Sequence, residues 1–247
     1  MTDTVRGISA YDLPERVAAY DADMDLMHPN RARMVEVARE ALPCPPAAPL
    51  RALDLGTGTG FLARRFLERF PEATLVAVDG AAAMLDLARA RLGALAARVE
   101  FVVGDFRRLD TLGFDLEADV VVSSFALHHL TADEKRDVLR QVVSCLKPGG
   151  WFVNADLVVS EWPELEERIQ ALRVEGIVAR AGGRDPRFVD PGTARAWLKE
   201  MEAREGDQPL PLAEDLTLAR EAGLHVEVFW KEHREVVWGG PVAKDRV

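Results

Sequence analysis

Between residues 51 and 70 the chain passes from a short apolar segment, Arg51-Ala-Leu-Asp-Leu55, through three alternating glycines into a stretch with helical periodicity. The glycines are Gly56, Gly58 and Gly60, and the stripe that follows is Phe61, Leu62, Phe66, Leu67 and Phe70. Glycine at a turn lets the backbone take positive φ angles and lets a ligand approach with no Cβ in the way. A strand, a glycine turn and a helix in that order make the first half of a nucleotide-binding crossover. The turn therefore predicts a parallel sheet with a ligand site at its carboxyl edge.

The rest of the chain repeats the alternation. Apolar runs at 74–78, 98–103, 119–124 and 151–159 predict four more strands, ending at or near Asp79, Gly104-Asp105-Phe106, Ser123-Ser124 and Val159. Helices are predicted between them at 81–92 and from Thr131 to Leu146. Thr131 is placed to cap the latter with Glu134 three positions on, and Lys147-Pro-Gly-Gly150 to stop it. Helical patterns at 163–180, 193–204 and 212–222 follow, the last closed by Gly223. Two strands at 224–230 and 234–238, joined through Lys231-Glu-His233, give an antiparallel ending. The fold class is α/β, a doubly wound, mostly parallel sheet. Ahead of it, Pro14 suits the first turn of an amphipathic helix and 30–42 reads as a second one. The stiff run Pro43-Cys-Pro-Pro-Ala-Ala-Pro49 sets these apart. Residues 1–46 thus read as a helical lid, 47–247 as the main domain, and about 160–211 as a cap inserted into it.

Composition bounds the partners. With 31 basic and 41 acidic side chains the net charge is −10, which argues against nucleic acid or an anionic membrane. Cys44 and Cys145 offer neither a disulfide framework nor zinc spacing, no metal site is read, and a reducing cytoplasmic setting is expected. No apolar run approaches the ~20 residues of a membrane span. Oligomeric state stays open, with a homodimer among the readings.

Counted from Gly58, the turn also meets the dinucleotide pattern, with Gly60 second and Ala63 third, so a nicotinamide oxidoreductase is one reading. Other features discriminate. Leu53-Asp54-Leu55-Gly56-Thr57-Gly58-Thr59-Gly60 resembles the first motif of the class I S-adenosylmethionine-dependent methyltransferases. Val76-Ala-Val-Asp79-Gly80 resembles their acidic second-strand end, and Val103-Gly104-Asp105-Phe106 their adenine-contacting site. The run from Asp119 through Ser123, Ser124, Phe125, His128 and His129 to Leu130 is similar to their fourth-strand motif, and Leu146-Lys-Pro-Gly-Gly150 to the turn before their fifth strand.

The resemblance implies S-adenosylmethionine as cofactor, S-adenosylhomocysteine as product and a small-molecule acceptor with an O, N or C nucleophile. It places Asp54 with Gly56, Thr57, Gly58 and Gly60 near the methionine part, and Asp79 with Gly80 at the ribose. Asp105 with Gly104, Phe106 and Met84 falls at the adenine, and Ser123, Ser124 and Phe125 at the end of the fourth strand. Asp105 has a second reading as an Asx-turn residue, and Met84 as core. Methyl transfer is an in-line displacement helped mainly by positioning, so the catalytic candidates, His128 and His129, are those expected to face the acceptor. His28 and His233 are further candidates. Trp162 and Trp197 are candidates to line the acceptor pocket, and Arg184, Arg187 and Arg195 to recognise an anionic group on it. Tyr20-Asp21, the 213–223 run and Val228-Phe-Trp230 resemble the carboxy-S-adenosylmethionine synthases of tRNA wobble-uridine modification, which adds Tyr20 to the cofactor site. His28-Pro-Asn30 departs from that subfamily's Pro-Gly-Tyr, so a methyltransferase of small molecules is the leading expectation.

Overall fold

The strands predicted from apolar runs pair in the order β3-β2-β1-β4-β5-β7-β6 in a computed structural model that describes residues 14–113 and 117–243. They are β1 (Arg51–Leu55), β2 (Thr74–Asp79), β3 (Val99–Val103), β4 (Ala118–Ser124), β5 (Leu146–Leu157), β6 (Glu227–Glu232) and β7 (Glu235–Pro241). The first five are parallel, and β7 inserts antiparallel between β5 and β6. The helices are α1 (Pro14–Met27), α2 (Arg31–Glu40), α3 (Phe61–Arg69), α4 (Ala82–Leu92), α5 (Ala132–Cys145), α6 (Pro163–Ala181), α7 (Pro191–Glu205) and α8 (Leu212–Ala222). Among the described residues no helix is long and apolar enough to cross a membrane.

Alternation along the strands produces two buried layers. Ala52, Val120, Val122, Val153 and Val237 face the side covered by α2 and α3, where Met34, Phe66 and Phe70 pack. Leu53, Val121, Phe152, Val236 and Trp238 face the side covered by α5 and α8, through Val138, Leu139 and Leu218. Sequential strands leave β1 in opposite directions, to β2 on one side and β4 on the other. That reversal opens a crevice at the carboxyl ends of β1 and β4, where open α/β sheets bind ligands. A third, smaller core joins Met27 of α1 to Val174 and Ile177 of α6, Phe188, and Leu198 and Met201 of α7. α1 thus shares one apolar cluster with α6 and α7 beside the crevice.

Local signals fixed several boundaries. Thr131 and Glu134 form the reciprocal capping box, and Gly223 closes α8 at φ 105°. Several boundaries differ from expectation, among them the end of β5 at Leu157 and the start of β6 at Glu227. α5 ends at Cys145, and Lys147-Pro-Gly-Gly150 is drawn into an irregular start of β5. The register slips there between Ala118 and Val120 of β4, and a Cβ on Gly150 would stand 2.9 Å from the Lys147 carbonyl. β6 runs on through Lys231 and Glu232, so the hairpin turns at His233 and Arg234 instead. β7 likewise extends past Trp238 to Pro241, because Gly239 and Gly240 let its neighbours approach more closely than a Cβ permits.

Candidate active site

The apolar β1 buries Asp54 near its carboxyl end, 1% exposed, with no hydrogen-bond partner for either carboxylate oxygen. Burial pushes this carboxyl up to about 7; the Thr57 hydroxyl opposes the shift and the charge of Asp79 adds to it. The same hydroxyl donates to the Asp54 backbone carbonyl at 3.2 Å. The turn beside it takes positive φ at Gly56 (67°), Gly58 (54°) and Gly60 (75°). Gly56 is crowded, since a Cβ there would lie 2.5 Å from that of Ala126, and Gly60 backs onto Ala88 of α4 at 3.0 Å. Gly58 differs: only the Gly56 carbonyl, at 3.9 Å, would be near its Cβ. An uncompensated buried carboxylate beside an open glycine cradle fits a cationic group presented by a ligand, such as the ammonium of the cofactor's methionine part.

The other expected cofactor residues surround this turn with varying commitments. Asp79 receives the Gly58 N–H at 2.7 Å and the Ala81 N–H at 2.9 Å, one on each oxygen, which fixes its carboxylate beside the turn. Gly80 follows it, half-buried. Asp105 is more fully engaged: it caps a short 3₁₀ turn through the Arg107 N–H at 3.0 Å and pairs with the Arg107 guanidinium at 2.7–2.9 Å. That is the Asx-turn reading, with an ion pair added. Phe106 lies against Gly56, its ring 3.5 Å from where a Cβ would stand, and Gly104 backs onto Leu112. Met84 is 2% exposed on α4. Ser123 is fully buried and donates to the Leu55 carbonyl at 3.1 Å, stitching β4 to β1, while Ser124 is half-buried. Phe125 takes φ +50°, a conformation rare for an aromatic residue, with its N–H held by the Ala155 carbonyl at 3.0 Å.

Beyond Phe125 a narrow, partly open cleft lies between α1 and the helices after β5. Tyr20, Met24, Met27, Phe125, Leu157 and Met201 form its less polar walls; His28, His128, His129, Arg173, Glu205 and Asp207 form its polar part. Nδ1 of His128 lies 2.6 Å from Asp156, which also accepts the His128 backbone N–H at 3.1 Å. Asp207 reaches His129 Nδ1 at 3.1 Å and His128 Nε2 at 3.7 Å. Burial pulls the His128 imidazole down, but Asp156 and Asp207 outweigh it and hold it above its ordinary value. Burial pushes Asp207 up, and the two histidines with Arg234 bring it down to about 2. His28 sits against the Phe125 ring and Glu235, 3.2 Å away, and burial drives it down to about 4.

The structure brings both catalytic candidates and Tyr20 to this cleft, while His233 is exposed in the β6–β7 turn. Trp162 is 60% exposed, and Trp197 packs on Phe188 in the smaller core. Arg187 is paired with Asp23 and Asp185, and Arg195 with Glu167. Asp156, Arg173, Glu205 and Asp207 were not expected at the site. Asp156 is flagged in sequence by a lone acid in the apolar run of β5, but the others lie in the irregular 160–211 stretch.

Residues 52–150 match the methyltransferase domain family. An uncharacterized methyltransferase of Bacillus subtilis, YrrT, is 32% identical over 62% of this chain and 68% of its own length. A demethylmenaquinone methyltransferase of Thermus thermophilus is 36% identical over 62% of this chain and 61% of its own. The chain spans about three fifths of the length of such curated relatives, from 58% to 68% in the first four. In fold it superposes on an O-methyltransferase family protein from Burkholderia thailandensis with a TM-score of 0.68 at 23% identity, covering 96% of this chain and 63% of that one. Strand order, a glycine turn traced at positive φ and this kinship agree, and the chain belongs to the class I S-adenosylmethionine-dependent methyltransferase family.

Proposed function

We propose that the protein binds S-adenosylmethionine at the β1–β4 crevice and methylates a small molecule held in the adjoining cleft. The observation that carries this is Asp54, whose buried, unpaired carboxylate asks for a cation beside the open face of Gly58. In this reading Asp54 takes the cofactor's ammonium and Asp79, held at the end of β2 beside the turn, receives the ribose hydroxyls. Phe106 and Met84 flank the adenine, with Gly104 and Asp105 placing the loop that carries Phe106. Asp105 acts there by holding Arg107, not by direct contact with the exocyclic amine. S-adenosylmethionine supplies an electrophilic methyl group on a sulfonium. Phe125 and Tyr20 stand where the two compartments meet and exclude water from the line of transfer. His128 and His129 touch the acceptor and fix its nucleophile. α1 serves as the lid and residues 160–211 as the cap, and the two meet through their shared apolar cluster, while α2 packs in the main core against the sheet. A net charge of −10 supports a small acceptor over a polyanion.

Isothermal titration of the purified protein tests the reading. Saturable binding of S-adenosylhomocysteine, lost in Asp79→Ala, is expected; binding of NAD without S-adenosylhomocysteine would overturn it.

A further inference from the structure

We propose that His128, His129 and Asp207 hold a divalent first-row transition cation at the polar end of the cleft, and that this cation grips the acceptor. One donor atom from each residue lies within 4.8 Å of the others. The measured edges are 3.7 Å from His128 Nε2 and 3.1 Å from His129 Nδ1, both to Oδ1 of Asp207. A cation bound at about 2.0–2.2 Å to imidazole nitrogen and carboxylate oxygen separates its ligand atoms by roughly 3–3.5 Å. Two edges of the triangle are therefore near their working size.

The surroundings are built for this. Asp156, 1% exposed, faces Nδ1 of His128 at 2.6 Å and is itself fixed by the N–H groups of His128 at 3.1 Å and Leu157 at 2.8 Å. A histidine that donates Nδ1–H to a buried carboxylate presents its Nε2 lone pair outward, which is the outer-shell arrangement of metal-ligating imidazoles. Its neighbour His129 closes the same 3₁₀ turn, Leu127–His129, so the two rings are carried on one rigid step of chain, centroids 4.0 Å apart. The local charge favours a cation, because Glu205 adds a second carboxylate to that of Asp207 along the cleft. The nearby guanidinium groups of Arg173 and Arg234 are both engaged by Glu202.

Two imidazoles and one carboxylate suit zinc, cobalt, iron or manganese better than calcium or magnesium, and they leave coordination positions open toward the cleft. This inference rests on the methyltransferase reading and narrows it. The acceptor is then a molecule that offers the cation a donor atom, such as a hydroxyl oxygen. His128 and His129 act as ligands, and the cation would hold the acceptor hydroxyl and lower its pKa, the proton passing to solvent as the methyl moves from the sulfonium to the oxygen.

Tag-free protein stripped with a chelator and titrated with Co²⁺, followed by visible absorption, tests the site, with S-adenosylhomocysteine binding measured in parallel. One equivalent of Co²⁺ with histidine-ligand d–d bands is expected. Asp156→Asn should weaken uptake by about 10- to 100-fold, and His129→Ala and Asp207→Asn by at least as much, all three still binding S-adenosylhomocysteine. Absence of saturable uptake by the unsubstituted protein, or uptake indifferent to His129→Ala and Asp207→Asn, would overturn the cation site while leaving the methyltransferase reading intact. Uptake of Co²⁺ by a protein that ignores S-adenosylhomocysteine would support the cation site and refute the methyltransferase reading on which its role depends.

Discussion

Asp54 and Asp156 stand toward the carboxyl ends of two strands of one sheet, and each is 1% exposed, yet their surroundings are opposite. Asp156 is saturated: an imidazole and two backbone N–H groups meet it, and burial's upward push is overcome by His128 and Lys135, which bring it below the usual carboxylate range. The Asp54 carboxylate has no hydrogen-bonded partner on either oxygen and is pushed up to about 7. The fold compensates one acid from within and leaves the other for a ligand. Burial alone does not separate a structural acid from a binding acid; accounting for the partners of each oxygen does.

Substitutions can break that contrast. Asp156→Asn should cost about 3 kcal/mol or more of unfolding free energy in urea, because it strands His128 without its counter-charge. It should leave S-adenosylhomocysteine affinity nearly unchanged; a matching loss of affinity would mean that the two acids are not independent. Asp54→Asn should do the reverse. At pH 8 it weakens S-adenosylhomocysteine binding by roughly 1.5–3 kcal/mol, the range for a hydrogen bond to a charged group. It also raises the melting temperature of the free protein, since a buried charge is gone. A fall in melting temperature without a change in affinity would place Asp54 with the structural acids.

The pH dependence sharpens the same contrast. Asp54 must ionise to receive an ammonium, so affinity should fall by about tenfold per unit as pH drops below about 7. For stability the sign is opposite. The unfolded chain releases this proton near 3.8 and the folded chain near 7, so the contribution is complete below 3.8 and is lost as pH rises to 7. Both trends should vanish in Asp54→Asn. The smallest effect is expected from Gly58→Ala, about 1 kcal/mol of stability from its positive φ. Its affinity loss should be larger than its stability loss, because the open face of the cradle is filled; equal losses would argue that no ligand lies over that glycine.

Features that depend on neighbours in sequence were legible beforehand. The turn at Gly56, Gly58 and Gly60, the Thr131–Glu134 box and the stop at Gly223 all state their geometry locally. The Asp105–Arg107 pair was legible in principle, since an Asx-capped turn brings the residue two positions on back to the carboxylate. What could not be read was convergence. Asp207 meets His129 across 78 positions, through the packing of α6 and α7 against α1, and no periodicity records that path. The irregular start of β5 escaped for a related reason: a proline and two glycines signal a turn, and only the adjoining β4 draws them into the sheet.

Asp21 carries one more consequence. It ties α1 to the glycine turn through the Thr59 hydroxyl at 3.0 Å and to the guanidinium groups of Arg31, at 3.0 Å, and Arg91, and its side chain is 34% exposed. Arg31 is buried and Asp21 and Arg91 are only partly exposed, and ion pairs of that kind are screened by salt much less than surface ones. The clasp over the turn should therefore hold as ionic strength rises, and the residence time of a ligand beneath α1 should change little between low and physiological salt.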